Sequence, residues 1–93
     1  MTSARANLVA VGKNENTIQQ VLSGRSDANI RFEALRTLLL ALGFVERTRG
    51  SHHTFAREGV EEQINLQRDG AKAKPYQVKQ VRLVLLRYGL KEV

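Results

Sequence analysis

The chain contains no cysteine. No thiol nucleophile and no thiolate metal ligand is therefore available to it. Long apolar runs are missing as well. The longest, Leu38 to Leu42, is far short of the roughly 20 residues that cross a membrane. Met1 to Lys13 lacks the apolar block of a secretory signal, so the sequence reads as cytoplasmic, with no membrane partner. There is no G-x-S-x-G elbow, no Walker loop and no dinucleotide fingerprint. No cluster of closely spaced carboxylates completes a metal-ligand set, so the sequence predicts no metal and no cofactor. Acidic residues are scarce: nine Asp/Glu face fifteen Lys/Arg, for a net charge of +6.

What is present fits one small domain. A chain of 93 residues with 42% apolar side chains is globular in composition. A domain of this size buries only about 60% of its unfolded surface, which leaves room for one sheet and two or three helices. The charge is uneven. Residues 1–46 carry five Lys/Arg against four Asp/Glu, and residues 47–93 carry ten against five, so the second half supplies +5 of the +6. Such a surface attracts phosphate backbones without regard to sequence. An acidic protein partner would satisfy the same charges, and a plain solvated face would carry them too.

The pattern along the chain predicts an α+β fold. Residues 1–14 show no period and read as a flexible N-terminus. Glu15 to Leu22 reads as a short helix with Ile18, Val21 and Leu22 inward, stopped by Gly24. Ser23 to Asn29 reads as a loop. Phe32 to Leu42 is a strong helix pattern, with Phe32, Leu35, Leu38, Leu39 and Leu42 on one broad stripe and Gly43 as its stop. Three short strand runs follow, Phe44–Thr48, Ser51–Ala56 and Glu61–Leu66, separated by turns at Arg49-Gly50 and Glu58-Gly59. They read as a three-stranded antiparallel meander. Gln67 to Lys74 reads as a polar, basic loop. The only proline, Pro75, suits the first turn of a last helix, which runs to Tyr88 and ends at Gly89. The single domain spans residues 15–93, with 15–30 as an extension and 31–91 as the core. Helices on one side of such a sheet leave its other face wet.

The two histidines are adjacent, His52 and His53, in Arg49-Gly50-Ser51-His52-His53-Thr54-Phe55. Histidine is the side chain that exchanges protons near neutral pH. Strand side chains alternate between faces. Phe55, the largest apolar residue of its strand, should face the helices, and His53 and Ser51 share its side. His52 and Thr54 then share the open side. His52 is thus the candidate for chemistry, with His53 as the alternate. A register slip at Gly50 would exchange them. Opposed directions also prevent the pair from gripping one ion. Ser51 has no Ser-His-acid set around it and reads as a turn residue. Glu61 and Glu62 read as solvated charges.

The stretch from Leu39 to Leu90 resembles the HicA (YcfA-like) toxins, small ribonucleases of toxin–antitoxin pairs. The resemblance is carried by Leu38-Leu39 with Leu42-Gly43-Phe44, by Arg49-Gly50-Ser51-His52-His53-Thr54-Phe55, by Ile64-Asn65-Leu66 and by the basic helix closing on Tyr88-Gly89-Leu90. It implies an α-β-β-β-α fold like that of double-stranded-RNA-binding domains, here with an additional N-terminal helix. It implies cleavage of single-stranded mRNA by a strand histidine. It also implies a HicB-like antitoxin that covers the site, with a free monomer and a complex of two copies of each chain. Minimal members of that family are shorter, and the extension over Glu15–Asn29 departs from them.

The expected activity is that of a metal-independent endoribonuclease, with His52 moving the proton. Arg47, Arg49, Lys72 and Lys74 are the expected holders of the phosphate, and Gly50 and Ser51 complete the expected RNA contacts at the turn. Two other readings fit the residues: a non-catalytic RNA-binding module, and a protein-binding adaptor with a basic face.

Overall fold

The computed structural model describes residues 2–92, and the side chains of residues 2–11 lie outside that description. The order is α1 (Thr2–Ser23), a 3-10 turn (Asp27–Asn29), α2 (Phe32–Ala41), β1 (Val45–Arg49), β2 (His52–Ala56), β3 (Ile64–Leu66), β4 (Arg68–Asp69), β5 (Lys72–Ala73) and α3 (Pro75–Arg87). Strands β1, β2 and β3 form an antiparallel sheet in sequence order. This is a small α+β fold.

Helix α2 forms because its apolar residues recur at helical spacing. Phe32, Leu35, Leu38 and Leu39 are all fully buried. It stops at Gly43, whose φ of +93° suits a residue without Cβ. The backbone N–H of Phe44 donates to Leu39 O at 3.0 Å, and that of Gly43 to Leu40 O at 3.1 Å. These two bonds make a Schellman closure, which turns the chain from helix directly into strand. Helix α3 closes the same way, with Leu90 N–H donating to Leu85 O at 2.8 Å. Its residues Val78, Val81 and Leu85 are fully buried. Phe55, Ile64 and Leu66 come down from the sheet to meet them in one core.

The third strand is confined to Ile64–Leu66 of the expected Glu61–Leu66, the expected Ser23–Asn29 loop holds a 3-10 turn, and two further segments differ from the sequence expectation. Helical backbone runs back to Thr2 where an aperiodic, flexible stretch over 1–14 was expected; Met1 lies outside the described residues. The stretch Gln67–Lys74, expected as a loop, holds the β4–β5 hairpin. Each of its strands is two residues long, too short for any period to register. The hairpin fastens the entry to α2: Phe32 N–H donates to Ala71 O at 3.0 Å and Ala73 N–H to Ile30 O at 2.9 Å.

The N-terminal extension packs on the domain through the second half of α1, against α2 and α3. Ile18 and Val21 are fully buried there, each contributing about 1.5–3 kcal/mol. Arg82 of α3 locks this arrangement. Its guanidinium donates to Val21 O at 3.0 Å and to both carboxylate oxygens of Asp27, at 2.9 and 3.1 Å. Arg82→Ala is expected to cost about 2 kcal/mol and to lower the melting temperature by roughly 8–16 °C. Amide exchange should accelerate in the last turns of α1. An unchanged melting curve and unchanged exchange would show that the extension docks without this link.

Candidate functional site on the open sheet face

The β1–β2 hairpin sets the site. Its two-residue loop is Gly50-Ser51, and the register pairs Arg49 with His52, Thr48 with His53 and Arg47 with Thr54. Gly50 has φ +59° and Ser51 lacks a positive φ. Positive φ at the first loop residue only is the type II′ pattern, whose twist matches that of the strands. The register then fixes which way each histidine faces.

His53 faces the helices and is fully engaged. Its Nδ1 lies 2.8 Å from Glu46 Oε2 and 3.3 Å from Thr48 Oγ1. Arg36 of α2 donates from Nε to both oxygens of the same carboxylate, at 2.8 and 3.0 Å. Burial pushes the Glu46 carboxyl up, but the hydrogen bonds from His53 and Arg36 and their charges outweigh it. The net position is below the ordinary glutamate value. Glu46 is therefore a carboxylate near neutral pH. An ionised carboxylate only accepts, so the His53 proton sits on Nδ1 and is donated to Glu46. The ring packs edge-on against Phe32, centroids 4.8 Å apart. Arg68 covers the Phe32 ring with its guanidinium 4.3 Å from the centroid, and pairs with Glu33.

His52 faces the other way, is exposed, and its side chain makes no hydrogen bond among the described residues. It lines an open groove of about 590 Å³ with Arg47, Thr48, Arg49, Thr54, Gln63 and Asn65. This lining carries two arginines and no acid. Directly opposed residues on antiparallel strands hold their Cβ atoms roughly 4.5–5.5 Å apart, and diagonal ones roughly 7–8 Å. Arg49 is thus the direct neighbour of His52, and Arg47 its diagonal neighbour. Neither arginine has an acidic partner among the described residues. The arrangement offers a proton-transfer group beside two free cations in a shallow, open groove, which suits an extended polyanion.

The other residues expected at the site fall elsewhere. Gly50 and Ser51 form the exposed turn at the groove's end. Lys72 and Lys74 do not line the groove. The β4–β5 hairpin carries Lys72 toward the helices, where its Nζ reaches Asn29 Oδ1 at 3.2 Å; Lys74 Nζ reaches Gln67 Oε1 at 3.2 Å. Their expected place near the site assumed the three-stranded meander followed by a loop. Thr54, expected on the open side with His52, lines the groove; Gln63 and Asn65 line it too and were not expected there. Alternation from buried Ile64 and Leu66 was the signal for the two amides. Glu61 and Glu62 were expected as solvated charges; the Glu61 side chain is 84% exposed, whereas Glu62 meets the end of α3. Tyr88 Oη donates to Glu62 Oε1 at 2.6 Å, and Arg87 Nη1 to Glu62 Oε2 at 2.8 Å.

Among the described residues no group of three or more His, Asp or Glu could hold a metal ion. No helix among the described residues is long and apolar enough to cross a membrane. No family model, no curated protein and no solved structure matches this chain.

Proposed function

We propose that this protein is an endoribonuclease that cuts single-stranded mRNA at the groove around His52, as the toxin of a HicA-like toxin–antitoxin pair with a double-stranded-RNA-binding-like fold. The observation that carries the reading is the division of labour between the histidines. His53 is spent on Glu46 and Phe32, while the His52 side chain stands free beside Arg47 and Arg49 of β1. In this reading the ribose 2′-OH attacks the adjacent phosphorus and the 5′-oxygen leaves. The products are a 2′,3′-cyclic phosphate and a free 5′-hydroxyl. His52 takes the 2′-OH proton as general base, or supplies one to the leaving oxygen as general acid. Arg49 and Arg47 hold the phosphate and offset the charge that grows on it. A HicB-like antitoxin would silence the enzyme by laying an acidic surface over this face.

The chemistry assigned needs only proton transfer and fixed cations. Cleavage should therefore continue in EDTA and leave cyclic-phosphate ends, readable by mass spectrometry. An RNA with hydrogen in place of the 2′-OH at the cut position should resist completely. Cutting of that analogue at the normal rate would refute the mechanism. Tight binding of RNA with no cleavage would make the protein a non-catalytic RNA-binding module.

A further inference from the structure

The groove contains two groups that the phosphodiester chemistry does not use. Gln63, immediately before β3, and Asn65, on it, flank buried Ile64, are both exposed, and both line the groove. Neither side chain makes a hydrogen bond within the protein among the described residues. Asn65 is the register partner of Thr54 on β2. The Thr54 hydroxyl is turned away to Arg47 O at 3.3 Å, so it does not occupy the amide. Two strand steps separate the amides by roughly 6.6 Å. Stacked nucleotides advance about 3.4 Å each, so the two amides match bases two positions apart, or two adjacent bases splayed from the stack. Single-stranded RNA is read through unstacked base edges.

We propose that Gln63 and Asn65 are specificity-determining residues that read adenine bases flanking the phosphate held by Arg47 and Arg49. The inference rests on the reading of this groove as an RNA site. A carboxamide presents one acceptor and one donor side by side. Adenine presents the complement, the N6 amino donor beside the N7 acceptor, and pairs with Asn or Gln through two hydrogen bonds. Guanine presents two acceptors, O6 and N7, on that edge, and an amide can satisfy only one. Uracil offers only O4 and a C–H on its corresponding edge; its N3–H donor lies on the Watson–Crick edge, so the choice of adenine requires readout of the N7 edge. The arginines would fix the backbone and the amides would choose the register along it.

The test is equilibrium binding by the His52→Ala protein, which separates recognition from cleavage. The probes are fluorescently labelled single-stranded oligoribonucleotides of adenosine and of uridine. Oligoadenylate is expected to bind more tightly, on the order of tenfold. Adding Gln63→Ala and Asn65→Ala should erase that preference while leaving oligouridylate affinity within about twofold, since the phosphate contacts persist. Both amides are exposed, so the substitutions should spare the fold, which a melting curve checks. Equal binding of the two oligomers, or a preference that survives both substitutions, overturns the proposal. Binding to neither oligomer overturns it together with the RNA reading of the groove. A preference that the substitutions erase, in a wild-type protein that cuts no RNA, supports the base reading and defeats the nuclease instead.

Discussion

His52→Ala is expected to abolish RNA cleavage and growth arrest while the protein melts as the wild type does. Loss of a positioned proton-transfer group typically costs about 10²–10⁴ in rate. The side chain is exposed and unbonded, so its removal should change stability by no more than about 0.5 kcal/mol. His53→Ala should behave in the opposite way. It removes the Nδ1 bond to Glu46 and the edge contact with Phe32, together worth about 1–3 kcal/mol. It should unfold at lower temperature yet retain measurable cleavage at temperatures where it stays folded. Paired growth assays and melting curves decide the matter. An inactive, well-folded His53→Ala beside an active His52→Ala would reverse the assignment of the two histidines.

The contrast between these residues was legible in the sequence, and the reason is local. Phe55 fixes the inward face of β2, and alternation does the rest over three residues. The helix of Phe32–Ala41 and the closing glycines were legible for the same reason, because stripes and caps are encoded within a few positions. What the sequence hid were the partners that come from elsewhere in the chain. Glu46 reads as an ordinary strand acid until the register puts Thr48 opposite His53 and α2 brings Arg36 over both. Lys72 and Lys74 looked like free phosphate ligands because a hairpin of two-residue strands leaves no periodic trace. The arginines at 47 and 49 line the same groove as His52 because they share a short-range register with it across a two-residue turn. Separation along the chain thus sorts what could be read from what could not. Arg82 and Asp27 are 55 positions apart, and no pattern in either neighbourhood announces their pairing.

Glu46 is expected to be the most sensitive polar position in the fold. Its side chain is only 11% exposed and serves Arg36 and His53 at once. Glu46→Ala leaves the Arg36 Nε–H without its acceptor, with only Nη1 still held by Glu33 at 3.4 Å, and leaves the inward His53 Nδ1–H only Thr48 Oγ1 at 3.3 Å. Breaking such a pair by removing one member costs about 3–5 kcal/mol when it is fully buried. Arg36 remains 36% exposed and can recover water, which brings the expected loss to about 2–4 kcal/mol. Urea unfolding should report it as an earlier midpoint with an unchanged slope. Glu46→Gln separates charge from shape. The folded-state carboxyl lies below its ordinary value, so its charged form stabilises the fold. That contribution is complete above the ordinary glutamate range and drains away as pH falls through the lower folded value. The glutamine variant should therefore be less stable than wild type at neutral pH, and the difference should shrink on acidification. It will not remove the whole acid limb. Glu62 is also held low, chiefly by the hydrogen bond from Tyr88 and then by Arg87, and it titrates in both proteins. A gap between wild type and Glu46→Gln that stays constant into acid would mean that the carboxylate charge is not what holds β1 and β2 against α2.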